Sequence, residues 1–422
     1  MLRVTFLGLL MIGMLIGIGT SESPGQVLKT DPKADPKVKE EPKKPEWPKK
    51  ILNKGLDQWV REMLVANQKD ASMRDHAIRT LPLFGPDARK AASKNLIQVL
   101  SSDPDINVKL TAIATVPILG FDDGDMDAGL NALVAFIKPQ VSTASNHTRY
   151  EVTMALGNCG PIARRAILPL TEWTLTDRSS WQNRKAAASA LGRLGQGMPL
   201  PLSPNAKEGT PLQMGPPDNL AIRALAKCLS DDFSHQVRRE AVQSLLMLGL
   251  PDSEIVWKEL RASLTKAFKD SDISTRIWAH VCFIRTEANL IKPNDPNLAA
   301  VVKYTEHEEA SIRLEAVQAI GTIGNEASSK ISLLLQLAED PRLAQVDEKK
   351  MTDSERDAMA IGAMAIWALG QMTSEQSKLI PILDGLTRHK TEYIKNAAKD
   401  AYKFLTRIDD AKFDPKKELK KP

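Results

Sequence analysis

A segment of about forty residues recurs nine times along this 422-residue chain. Self-similarity at that period is compatible with few architectures, and it outweighs any domain count drawn from length. The repeats align on Arg74, Lys109, Arg149, Arg184, Arg238, Arg276, Arg313, Met359 and Lys395, eight of nine being basic. Three positions later stand Ala77, Ala112, Val152, Ala187, Ala241, Ala279, Ala316, Gly362 and Ala398; seven later stand Leu81, Val116, Leu156, Leu191, Leu245, Phe283, Ile320, Ile366 and Tyr402. Position ten is mainly Leu. Offsets 3, 7 and 10 share one face of an α-helix.

The ends of that helix are marked too. Four residues before each anchor lie Asp70, Asp105, Ser145, Ser180, Ser234, Asp272, Glu309, Glu355 and Thr391, mostly side chains that can accept a bond from a free backbone N–H. Eleven after it lie Gly85, Gly120, Gly160, Gly195, Gly249, Gly324 and Gly370, with Glu287 and Thr406 interrupting. Glycine there is expected where a helix stops in a left-handed conformation. A second amphipathic segment precedes each marked helix, as in Ala88 to Leu100, Ile162 to Leu175, Leu220 to Leu229, Ile255 to Phe268, Ala327 to Leu337 and Leu379 to Leu386. Each unit therefore reads as a helix pair. Two long spacings hold insertions, residues 196–217 with six prolines and the charged residues 342–356, both expected to be loops.

The pattern Val-Arg-x-x-Ala-x-x-x-Leu-x-x-Leu-Gly resembles the HEAT-repeat family, including its lyase-like subset. Val237-Arg238 to Leu248-Gly249 matches it most closely, followed by Ile312-Arg313 to Ile323-Gly324 and Asn183-Arg184 to Leu194-Gly195. The resemblance covers residues 51–408. It implies an all-α fold, a right-handed α-solenoid of about nine antiparallel helix pairs with second helices lining the inner face. Met359 and Gly362 depart from the pattern, and Pro82 and Pro117 fall within second helices, where kinks are expected.

Outside the array the chain changes character. Residues 1–21 carry Arg3, an uncharged run from Val4 to Ile18 and small residues after it, the layout of a cleavable export signal. An uncleaved signal would anchor the chain to a membrane. Residues 22–50 hold six prolines among eight lysines and six acids, and residues 409–422 hold five lysines and four acids. Neither can build a core; the first is expected to be an extended stalk and the second a disordered tail. Arg3, stalk and tail carry four of the five net positive charges, leaving 43 basic against 42 acidic residues in the array. That near-balance gives no reason to expect nucleic acid as a partner.

A stacked helix array offers a long concave surface rather than one deep pocket, so the expected function is an exported, non-catalytic scaffold holding a protein or peptide partner on its inner face. Offsets 1, 5 and 8 point away from the core. They are polar in Asp75, Arg79, Lys185, Ser189, Asn396 and Asp400, but apolar in Tyr150, Met154, Ile277, Val281, Ile284, Met364 and Trp367, with Trp278 alongside. These apolar residues are a candidate recognition stripe; their exposure decides the matter. The basic column Arg74, Lys109, Arg149, Arg184, Arg238, Arg276, Arg313 and Lys395 is expected, by the resemblance, to pair with nearby Asp as a ladder between units.

The sequence carries little chemistry. The six histidines lack metal-ligand spacing, and His307-Glu308 is one His-Glu pair where a di-iron repeat enzyme needs several. Cys159, Cys228 and Cys282 are odd in number and far apart. No nucleophile elbow or phosphate loop occurs, and no cofactor or metal is expected. The alternatives are a lyase-like cofactor handler, after the repeat subset, and a structural cell-envelope protein.

Overall fold

The structure, a computed structural model, describes residues 46–139, 144–200, 213–286, 295–343, 346 and 350–406. The expected signal 1–21, most of the stalk, residues 201–212 of the first insertion and the tail 409–422 lie outside them. Residues 46–50, assigned above to the stalk, are part of the fold. A small antiparallel hairpin, β1 (Lys50–Ile51) and β2 (Lys54–Gly55), opens the array. The indole of Trp47 lies so close against Gly85 that a Cβ there would meet it at 2.3 Å.

Eighteen helical segments follow among the described residues, in nine consecutive pairs. The first members are α1 (Leu56–Glu62), α3 (Asp87–Ser102), α5 (Met126–Ala135), α7 (160–174), α9 (Asn219–Asp231), α11 (Glu254–Ala267), α13 (Pro296–Lys303), α15 (Ile331–Ala338) and α17 (Gln376–Leu386). The second members are α2 (Ala71–Thr80), α4 (Ile106–Leu119), α6 (Asn146–Asn158), α8 (Trp181–Leu194), α10 (His235–Leu248), α12 (Ile273–Thr286), α14 (Ala310–Ile323), α16 (Asp353–Gly370) and α18 (Glu392–Thr406). The fold is an all-α solenoid of HEAT-like helix pairs. Both core columns, offsets 3 and 7, are buried in all nine units, as the 3.6-residue period requires. Alanine dominates the first column because a small side chain lets the partner helix approach.

The caps follow the sequence closely. Asp70, Asp105, Ser145 and Ser180 each accept a backbone N–H of the first turn, and Asp272 accepts that of Thr275. In unit eight the cap is Thr352, not Glu355: the two form a reciprocal capping box. That helix therefore starts inside the segment read as a loop to residue 356. Five of the seven column glycines have positive φ, namely Gly85, Gly120, Gly160, Gly249 and Gly324. Gly195 and Gly370 do not; there the missing Cβ serves close packing, against Ala221 at 2.7 Å and Ala401 at 3.1 Å. Pro117 lies inside α4, whereas α2 ends at Thr80 and Pro82 sits in the 3-10 turn Leu81–Phe84 that follows. Around Pro169, α7 is irregular, a 3-10 stretch Gly160–Ala166, one turn Ile167–Pro169 and a π-turn Leu170–Thr174. The first insertion leaves its array through a short ladder, with Leu200 donating to Gln213 and Gly215 to Met198, both at 2.7 Å.

Second helices stack without a break from α2 to α18, while the first helices of units six to nine hardly touch one another. The second-helix layer is thus the continuous one, and with the first helices splayed beyond unit six we take it as the inner layer of the array. Glycine sets how closely its members approach. A Cβ on Gly157 would meet Ala190 Cα at 2.9 Å, one on Gly192 would meet Ser244 Cβ at 2.7 Å, and one on Gly321 would meet Ala368 Cβ at 2.8 Å. Together with Gly370 against Ala401, these mark the seams α6/α8, α8/α10, α14/α16 and α16/α18, which are the four most extensive between second helices. Seams without glycine are more open.

Candidate functional site

The basic column and the inner face are the two places where a site could be built. At the column, Arg74 forks onto Asp103 (Nε to Oδ2 2.8 Å, Nη2 to Oδ1 2.9 Å), Arg184 onto Asp232 (2.7 and 3.1 Å) and Arg238 onto Asp270 (2.6 and 2.7 Å). Each acid ends the first helix of the next unit. In the first two rungs both partners are nearly inaccessible, so removing one partner would leave an uncompensated buried charge. The third guanidinium nitrogen reaches a carbonyl of its own unit: Arg74 reaches Lys69, Arg184 reaches Asp177 and Arg238 reaches Asp232. Each acid also accepts the N–H two residues on, as Asp103 does from Asp105, Asp232 from Ser234 and Asp270 from Asp272. One carboxylate thus ties two units and a helix start together. The Asp103 pairing raises the Arg74 pKa. Burial pushes the Asp270 pKa up, but the bond from Arg238 and the Asp272 N–H bring it below the usual carboxylate value.

The ladder does not run through the whole column. Arg149 stands 3.9 Å from Asp177, with its Nε buried and unpartnered. Lys109 Nζ lies 5.9 Å from the Phe136 ring instead of an acid. Lys395 is in the last unit and pairs with Glu392 on its own helix. At unit seven the acid position is held by His307. Its carbonyl accepts from Arg313 at 2.8 Å and its Nδ1 accepts the Glu309 N–H at 3.1 Å, the two bonds that Asp232 and Asp270 make elsewhere. Facing it in register, Arg276 donates Nη1 to the Asp270 carbonyl and has a buried, unpartnered Nε. His389 repeats the substitution, accepting from Thr391, and there the register opposes it to Met359. Loss of the base at Met359 thus accompanies loss of the acid.

The candidate stripe is divided by the structure. Ile277, Trp278, Val281 and Ile284 are buried to 5% exposure or less and belong to the core, which corrects their reading as a surface. The physical reason is that α12 has helices on every flank: α13, the first helix of unit seven, packs on it in addition to α10, α11 and α14. His280 stacks on Phe268 at 4.1 Å and bonds Asn297, while Trp278 Nε1 donates to Glu315 at 2.6 Å. Trp367 is half-buried with its ring against Gly321, and Met364 is half-buried beside it. Tyr150 remains 36% exposed and Met154 half-buried.

On the rows of the second helices, large apolar side chains are exposed in the first three units; others, such as Phe233 and Ile255, are exposed elsewhere on the array. Offsets 1, 5 and 9 form an i, i+4 row on the second helices: Asp75 and Arg79, with Leu83 in the 3-10 turn that follows; Leu110, Ala114 and Ile118; Tyr150, Met154 and Asn158; Lys185, Ser189 and Arg193; Arg239, Gln243 and Met247. Leu83 is 56% and Ile118 72% exposed, and Ala114 is exposed. One contact joins two rows directly, Arg193 to Asn158, and Arg79 reaches from its row to the buried Thr111 of the next second helix at 3.0 Å. Sequence reasoning missed Leu83 and Ile118 by taking offset 8 rather than 9, and passed over Ala114, which stands at offset 5.

Two surface hollows of about 590 and 470 Å³ lie at the Arg238–Asp270 rung and beside Arg164, Leu200 and Asp218; both are wide open. Among the described residues no group of three or more His, Cys, Asp or Glu side chains is placed to hold a metal ion, and no helix is long and apolar enough to cross a membrane. Burial raises the thiol pKa of Cys159 to about 11 and of Cys282 to about 12.

No protein-family model and no curated protein matches the chain. Among solved structures it is similar to yeast importin-beta (Kap95p), at 14% identity over 83% of this chain and 47% of that one, with a TM-score of 0.49. It is also similar to the complex of CpcE and CpcF of phycocyanin lyase from a Nostoc species, at 14% identity over 74% and 94% of the chains, with a TM-score of 0.40. An engineered protein aligns at 18% identity over 83% and 89%, with a TM-score of 0.39. With identities this low and TM-scores under 0.5, any functional reading rests on the geometry of this chain.

Proposed function

We propose that this protein is an exported, non-catalytic scaffold that holds a protein or peptide partner along its inner face, with residues 1–21 serving as the export signal. The observation that carries the reading is the unbroken stack of second helices from α2 to α18, whose inner rows in units one to three leave large apolar side chains in solvent. Exposed apolar residues in adjacent rows mark interaction surfaces. A solenoid presents them on a continuous surface rather than in a pocket, which suits binding better than chemistry.

Site-specific photo-cross-linking in the native host tests this. A benzophenone side chain at Tyr150 on the inner face is expected to capture a discrete partner, and one at Lys90, exposed on α3, is not. Equal capture, or none from either position, would refute the scaffold reading. Fractionation with sequencing of the mature N-terminus tests export; a cytoplasmic chain with residues 1–21 intact would remove that half of the proposal.

A further inference from the structure

The geometry points to a specific occupant for the inner face of units one to five: an acidic, extended peptide segment with two or three apolar anchors. This refinement rests on the scaffold reading above. Three ion pairs involve these rows, and in each the cation is more exposed than its acid. Arg79 is 65% exposed against 26% for Asp75, Lys185 47% against 18% for Glu240, and Arg239 39% against 12% for Asp272. The acids are held down by further bonds. Asp75 also accepts from Thr111, and Asp272 caps α12 through Thr275. Arg193 is held on the same surface by Asn158 and Ser189. Glu151, beside the row, is 38% exposed and stands 3.9 Å from His147, an acid on this stretch that opposes an acidic partner.

A peptide on this face therefore meets apolar side chains at Leu83, Ile118 and Tyr150 with the single cation Arg79 among them, then a run of cationic heads at Lys185, Arg193 and Arg239. Charge complementarity selects an acidic partner over a basic one and sets its orientation. The lysine-rich segments 22–50 and 409–422 carry the wrong sign. Neighbouring second helices stand about 10 Å apart, so α2 to α10 spans about 40 Å, which an extended chain covers in about 12 residues.

The test is fluorescence anisotropy on the full chain with three fluorescein-labelled peptides of about 14 residues. One carries phenylalanine and leucines in one half and glutamates in the other, the second has the reverse order, and the third has lysine for every glutamate. One of the two acidic orders is expected to bind at least about tenfold tighter than the lysine peptide, and to weaken as salt rises. Ile118→Asp and Lys185→Glu should each weaken it about fivefold while leaving the far-ultraviolet circular dichroism unchanged. Equal or tighter binding of the lysine peptide, or indifference to both substitutions, would overturn the proposal. If cross-links from Tyr150 reach a basic or neutral segment, the acidic assignment falls and the scaffold stands; if no peptide binds and Tyr150 captures nothing, both fall.

Discussion

Replacing His307 with Asp should stabilise this protein, an unusual expectation for a substitution in a natural chain. His307 occupies the place that Asp103, Asp232 and Asp270 hold in complete rungs, down to the carbonyl bond from Arg313 and the acceptor bond to Glu309 N–H. The opposing Arg276 has a buried Nε without a partner. In His307→Asp the carboxylate keeps the turn bond and offers Arg276 two charge-assisted bonds of the kind that Arg238 makes to Asp270. Such bonds contribute about 1.5–3 kcal/mol each. Desolvating a new carboxylate costs several kcal/mol, and Glu306, Glu308 and Glu309 repel it, so the net expected gain is about 1–2 kcal/mol. Urea unfolding of wild type, His307→Asp, Arg276→Met and the double variant reads it directly as a coupling energy. His307→Asn, which retains an acceptor without charge, should sit near wild type. A gain that survives in the Arg276→Met background, or a loss of stability in the single variant, would refute the register on which the argument depends.

In a complete rung the same logic runs in reverse: Asp232→Ala leaves the buried guanidinium of Arg184 unpaired and should cost about 3–5 kcal/mol, most of it recovered in Arg184→Met/Asp232→Leu, measured by thermal or urea unfolding. Gly157→Leu forces α6 away from the Ala190 backbone and should cost about 1–3 kcal/mol; Gly249→Ala has open space around it, yet φ of 78° with ψ of −156° is a region that essentially only glycine adopts, so it should also cost about 1–3 kcal/mol, all of it in the backbone. Stability should fall in two pH windows. Burial lowers the His280 pKa, so the unfolded chain takes up that proton first and stability declines as pH drops below about 6.5, a step that His280→Gln removes. For Asp270 and Asp272 burial opposes ionisation, but the bonds from Arg238 and Arg239 hold both below the usual value; their contribution is complete above about pH 4 and is lost on further acidification through their folded values.

The array was legible in the sequence because its strongest signals are local. Caps such as Asp105 and Ser180, stops such as Gly249, and the buried columns follow from helix geometry within fourteen residues. The inner face was not, since exposure there depends on neighbours far along the chain. Ile277 and Val281 have the same pattern as Tyr150 and Met154, yet α13 packing on α12 buries the first pair. The ladder was half visible: its bases align as a column, whereas its acids lie 29 to 48 residues away, and the exchange of Asp for His307 becomes meaningful only when the two hydrogen bonds are seen. Gly157, Gly192 and Gly321, between second helices, escaped notice because a residue defined by what it lacks leaves no apolar signal, and Gly370 was read only as a helix stop.

Those glycine contacts also divide the array mechanically. Units three to five and seven to nine are each locked by two tight seams, while the seams on either side of unit six carry full side chains. We expect the protein to yield as two stiff segments joined by a compliant joint at α12, not as a uniform spring. Under tension applied between units three and nine, probes placed across unit six should separate before probes within either segment. Even strain along the chain would show that backbone proximity at the glycines confers no rigidity. With such a joint, the surface of units three to five keeps its shape while the far end changes pitch.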